Sequence, residues 1–136
     1  MKIFDINGEI FNVDIRQSKH PLRAKSLSKQ QGLVKSVICR LYPRDIILED
    51  FVIPHSRLSV DFFLPKRDMV IEVQGRQHSI HVPFFQGDRK HSNKYAKQQM
   101  NDRKKQEWAE VNSFHFIEIE ESDSDEQIIT KIRKCN

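Results

Sequence analysis

The sequence predicts an α+β or α/β core built around a mixed sheet and preceded by a β-hairpin. Three features predict it. Apolar residues recur at spacings of three and four in an early segment and again near the end, which is the helical period. Between these segments lie short apolar runs cut off by Pro54 and Pro65, which read as strands. A chain of 136 residues with no internal repeat or linker suits a single domain, 1–136, with one modest core.

The elements follow in chain order. Residues 1–15 form a hairpin, with Asn7-Gly8 supplying the turn between two short strands. Leu22 to Leu41 reads as a helix with Leu27, Gln31, Val34, Val37, Ile38 and Leu41 on one face, ended by Pro43. Ile46 to Ile53, Arg57 to Leu64 and Met69 to Val73 are strands, and the short Lys66-Arg67-Asp68 link joins the last two as a hairpin. Arg76 to Asn93 carries Pro83, Gly87 and several aromatics and reads as a long irregular loop, either functional or poorly ordered. Lys94 to Val111 is a polar helix and Phe114 to Ile119 a strand. A last helix lies in 122–136, capped by Asp123 or Ser124, with Ile128, Ile129 and Ile132 facing inward.

Composition excludes several classes. No apolar stretch approaches the roughly 18 residues needed to cross a bilayer, and no secretory signal opens the chain, so a cytoplasmic setting without a membrane partner is expected. Cys39 and Cys135 are too few for a disulfide framework or a zinc site. Charge is unevenly distributed. Arg16 to Arg44 holds eight basic residues and no acid, and Arg76 to Lys105 holds eight against Asp88 and Asp102, whereas Glu118 to Glu126 holds six acids and no base. Two basic blocks point to a polyanion such as DNA.

The centre of the chain carries the chemistry. Asp61 lies inside the apolar run Ser59–Leu64 and Glu72 inside Met69–Val73. A carboxylate in a buried strand is costly unless it is paired or metal-bound. These two, 11 residues apart across a tight connection, can meet on one side of paired strands. Their mutual repulsion is relieved by a divalent cation, and oxygen-only ligation favours magnesium or manganese.

Arg57-Leu-Ser-Val-Asp61-Phe-Phe-Leu-Pro65, followed by Val70-Ile-Glu72-Val-Gln74-Gly75-Arg-Gln-His78, resembles the core of the PD-(D/E)XK nucleases. The resemblance is to small phage and bacterial members that look like Holliday-junction resolvases, very-short-patch-repair enzymes and homing endonucleases. Asp102-x-x-Lys105-x-x-Trp108-x-x-x-Asn112, leading into Phe114–Ile119, resembles the later helix and strand of the same family. The resemblance spans about Lys25 to Ile119 and implies an α/β, restriction-endonuclease-like core of order α-β-β-β-α-β over 22–119.

It also implies roles. Asp61 and Glu72, with the backbone carbonyl of Val73, would hold Mg²⁺ or Mn²⁺. Gln74 stands where many members have lysine, so it would orient the attacking water without supplying a positive charge. Lys105, with Lys104 as the weaker candidate, would supply that charge. His78 would assist as a base or bind the scissile phosphate, and His81 and His91 are weaker candidates. Members often place a Glu in the first helix, where this chain has Gln30 and Gln31. Gln31 would ligate through its amide oxygen or hold a ligated water, with Glu49 as a substitute.

The expected activity is a Mg²⁺-dependent DNA endonuclease or nickase of low or structure-dependent specificity, working in a bacterial or phage-infected cell. Lys25, Lys29, Arg76, Arg89, Lys90, Lys94 and Lys97 would grip the DNA backbone, and Phe84 and Phe85 could stack against it. A homodimer or a protein partner would supply further specificity. The alternative is a non-catalytic DNA-binding or phage assembly protein that keeps the fold.

Overall fold

The computed structural model describes residues 1–15, Leu22, Ser26, 28–74 and 89–135, with the side chains of 89–93 left aside. Six strands and three α-helices are described: β1 (Lys2–Phe4), β2 (Ile10–Asn12), α1 (Lys29–Leu41), β3 (Leu48–Val52), β4 (Ser59–Leu64), β5 (Met69–Gln74), α2 (Arg89–Val111), β6 (His115–Glu120) and α3 (Asp125–Arg133). The first two strands pair as an antiparallel hairpin, and the other four form a sheet in the order β3-β4-β5-β6. β3, β4 and β5 run as an antiparallel meander, while β6 joins β5 in parallel. A parallel neighbour requires a crossover, and α2 lies in that connection. The fold is α/β with a mixed sheet.

Apolar side chains cover both faces of this sheet. On one face Phe62, Leu64, Met69, Ile71, Ile117 and Ile119 pack with Val34, Val37 and Ile38 of α1 and Ile128 and Ile132 of α3. On the other, Phe63, Val70 and Leu48 pack with Trp108 and Ala109 of α2, with Phe114, and with Ile3 of the hairpin. Trp108 lies at the centre of this second cluster, its ring 5.4 Å from Phe114 and 6.2 Å from Phe63. Burial on both faces explains why β5 is almost unbroken in its apolar character.

Several boundaries differ from the expected ones, each for a local reason. α1 begins at Lys29, not near Leu22, because the Ser28 hydroxyl accepts the Gln31 N–H and caps the helix there. The first turn lies at Asn7-Gly8, as expected, within a five-residue loop. Asp5 N–H donates to the Glu9 carbonyl, and Asp5 Oδ1 accepts the N–H groups of Asn7 and Glu9, so the loop spans Asp5 to Glu9. Gly8 supplies the left-handed residue it needs, at φ 80°. The link after β4 is a 3₁₀ turn, Pro65–Arg67, closed by Asp68 at φ 50°. α2 starts at Arg89 rather than Lys94, and α3 is capped by Ser124 in a full capping box with Gln127.

Polar contacts fix the hairpin to the domain. The Asn112 side chain accepts the Phe4 N–H at 2.7 Å and donates to the Phe4 carbonyl at 3.2 Å, imitating a neighbouring strand. The Trp108 indole N–H donates to the same carbonyl at 2.8 Å. Buried Asp5 also meets His55 Nδ1 at 2.6 Å. No helix among the described residues is long and apolar enough to cross a membrane.

Candidate metal and phosphodiester site

The β4–β5 ladder runs through Leu64–Met69, Phe63–Val70 and Phe62–Ile71, so the next pair in register is Asp61 and Glu72. Here side chains replace backbone as acceptors. The Asp61 N–H donates to Glu72 Oε1 at 2.9 Å, and the Val73 N–H donates to Asp61 Oδ2 at 2.7 Å. Each carboxylate is thereby held on the opposite strand through one oxygen, at the point where the strands part.

Alternation decides which face the site occupies. Val70 packs towards Trp108, and Glu72, two residues on, points the same way, towards α2. Lys105 on α2 meets it: Nζ lies 3.1 Å from Glu72 Oε2, with both side chains largely buried. The helix reaches this point because Trp108 and Ala109, one turn further along, anchor it in the core.

The two acids do not ionise freely. Burial pushes the Glu72 carboxyl up to about 7; the Asp61 charge adds to the rise, and Lys105 opposes it. Asp61 is also raised, first by burial, against the pull of the Val73 N–H and Lys105, with Asp50 and Glu49 adding repulsion. Near neutrality the pair therefore bears less than two full negative charges, which is the condition a cation would relieve.

Further acids lie nearby. The β3–β4 register skips Asp50 between the pairs Glu49–Phe62 and Phe51–Val60, where Asp50 adopts φ 52° and its Oδ1 lies 3.5 Å from Gln31 Nε2 of α1. On the far side Glu72 pairs in register with Glu118, whose Oε1 accepts from Gln106 Nε2 at 2.6 Å. Glu49 points to the α1 face and is fully enclosed. Its carboxylate accepts from Ser26 Oγ at 2.8 Å, Gln31 Nε2 at 2.9 Å and Lys35 Nζ at 3.1 Å.

The structure thus brings Asp61, Glu72 and Lys105 together, with the Val73 backbone and half-buried Gln74 at the end of the same strand. Gln31, expected near the metal, has its amide nitrogen on Glu49 and 3.5 Å from Asp50 Oδ1. Lys29 opens α1 and is exposed, as are Lys94 and Lys97 on α2. Lys25, Arg76, His78, His81, Phe84 and Phe85 lie outside the described residues, as do the side chains of Arg89, Lys90 and His91. Sequence reasoning passed over Lys35, Asp50 and Glu118. Asp50 and Glu118 each carry the signal that revealed Asp61, an acid within a strand, but only the register shows that Glu118 stands beside Glu72.

Among the described residues, no set of three or more His, Cys, Asp or Glu side chains is gathered closely enough to hold an ion. The available donors are two carboxylates and a backbone carbonyl. All are hard oxygens, which fits a Mg²⁺ that keeps several of its waters and does not fit zinc. No protein-family model, curated protein or solved structure matches the chain.

Proposed function

We propose that this protein is a Mg²⁺- or Mn²⁺-dependent DNA endonuclease or nickase with a restriction-endonuclease-like core. The observation that carries the reading is the contact of Lys105 with Glu72 beside Asp61. A lysine arrives from α2 at the carboxylate pair whose own strand offers Gln74 instead. Asp61, Glu72 and the Val73 carbonyl hold the cation. When bound, it polarises a phosphoryl oxygen and lowers the pKa of an attacking water. Gln74 orients that water through its amide. Lys105 stabilises charge developing on the phosphoryl oxygens. His78 assists as base or phosphate ligand. Cleavage leaves a 5′-phosphate and a 3′-hydroxyl. Lys29, Lys94 and Lys97, with Lys25, Arg76, Arg89 and Lys90, hold the DNA backbone, and a dimer or partner supplies selectivity.

A plasmid nicking assay tests this directly. Nicking should require Mg²⁺ or Mn²⁺, stop in EDTA and disappear in Glu72→Ala. The rival reading is a DNA-binding or phage assembly protein that keeps the fold without the reaction. Gln74 and the absence of an acid from α1 favour it. Metal-independent DNA binding with no nicking under any condition would establish that rival instead.

A further inference from the structure

One side of α2 forms a shallow groove of about 270 Å³, lined by Tyr95, Gln98, Gln99, Asp102, Arg103 and Gln106. Their steps of three and four residues place them along one flank of the helix. Pockets for drug-sized ligands begin near ~300 Å³, so this groove suits something the size of one planar ring. Its chemistry is specific. Arg103 and Asp102 bring one charge of each sign, so the lining residues carry no net charge to attract a phosphate. Gln99 and Gln106 bring side-chain amides whose nitrogens are fixed on Tyr95 and Glu118, which leaves each a second N–H and a carbonyl oxygen, the donor and acceptor pattern that reads the edge of a nucleobase. Tyr95 supplies an aromatic surface, and its hydroxyl is held by Gln99 Nε2 at 2.9 Å.

The groove adjoins the carboxylate site through two short links. Gln106 is bonded to Glu118, which stands beside Glu72 in the sheet register. Lys105, the residue before Gln106, is bonded to Glu72 itself. Arg103 lines the groove, whereas the cationic side chains of Lys97 and Lys104 lie elsewhere on the helix. Both are exposed, and at about 100° per residue both fall across the helix from the groove's midline, which runs through Tyr95, Asp102 and Gln106. α2 therefore separates a flank suited to phosphates from a flank suited to a base.

We infer that this groove binds one unpaired nucleobase of a DNA strand whose backbone lies at the Asp61–Glu72 site. The inference rests on the DNA-binding part of the proposed function and narrows it to substrates with an unstacked base. A base still paired in a duplex has its edge and faces occupied and cannot enter.

Binding measured in EDTA, where cleavage is absent, tests it. The probes are a short single-stranded DNA, an abasic strand of equal length and charge, and a fully paired duplex. The native protein should prefer the base-bearing strand to the abasic one. Tyr95→Ala should weaken the former about tenfold and leave the abasic strand and the duplex unaffected, because base stacking on an aromatic ring contributes at this level. Tyr95→Phe should keep the preference, since the ring remains. Lys97→Ala with Lys104→Ala should weaken all three probes alike. Equal affinity of the native protein for base-bearing and abasic strands, or a preference that survives Tyr95→Ala, would overturn the inference even if nicking is intact. Conversely, base-dependent binding in a protein that never nicks would uphold the groove and remove the nuclease.

Discussion

Glu72 is a buried acid held at the edge of ionisation, and that has a measurable consequence. Its folded pKa of about 7 exceeds the ordinary 4.5. Between these values the folded state binds more protons than the unfolded one, so this group's contribution to stability is lost as pH rises from 4.5 through about 7. The metal-free melting temperature should decline across that window, and Glu72→Gln should flatten the decline. Under the proposed function Mg²⁺ would bind the ionised form, so it should raise the melting temperature more above this window than below it, and Asp61→Asn should remove the rise. A rise that persists in Asp61→Asn would mean the metal binds elsewhere. Asp5 acts in the opposite sense. His55 and the loop N–H groups hold its carboxyl below the ordinary range, so its contribution is lost only under acid conditions. Gln74 and Lys105 supply a second test. If Lys105 does the work of a strand lysine, Gln74→Lys should be tolerated, and Lys105→Ala should cost much less in that background. A double-mutant cycle on nicking rate measures the coupling, and additive effects would show that the two positions act separately.

Elements follow from local rules where those rules act alone. The inward faces of α1 and α3, the three strands of the meander and the β6 strand were legible because burial imposes a period, and Pro54 and Pro65 mark strand ends. Ser124→Ala removes a cap accepting the Gln127 N–H and should cost about 1 kcal/mol in urea unfolding. Gly8→Ala, at φ 80°, should cost roughly 1 kcal/mol. The misplaced features are those set by competition or by distance. Leu22 and Leu27 extend the apolar spacing of α1, yet the Ser28 hydroxyl stops the helix short. The Asn7-Gly8 turn falls where the sequence puts it, and the Asp5 carboxylate sets its width by gathering two N–H groups. Within the site, Asp61 and Glu72 stand out because acids are rare in apolar strands. The contact of Lys105 with Glu72 spans 33 residues and is fixed by how Trp108 seats α2. No spacing rule reaches that far. The buried node of Ser26, Gln31, Lys35 and Glu49 was hidden for the same reason.

At the scale of the whole molecule, charge governs what approaches. The net charge of +4 combines basic blocks with an acidic stretch in β6 and the start of α3, so DNA should be drawn to one region and repelled from another. Affinity for any duplex should fall steeply with salt. Removing Lys94 and Lys97 together should weaken all duplexes alike and flatten the salt slope by up to about two units in a titration. Affinity insensitive to salt would show instead that these lysines merely solvate the helix. The domain also carries its own optical probe. Trp108 is the sole tryptophan, enclosed by Phe51, Phe63 and Phe114, and its indole N–H is tied to the hairpin at Phe4. Its emission therefore reports on two events that a global probe would merge. Asn112→Ala loosens the hairpin and should red-shift the emission while far-UV circular dichroism stays native, whereas denaturant should change both signals together. One fluorophore can thus time the release of β1 separately from the collapse of the sheet.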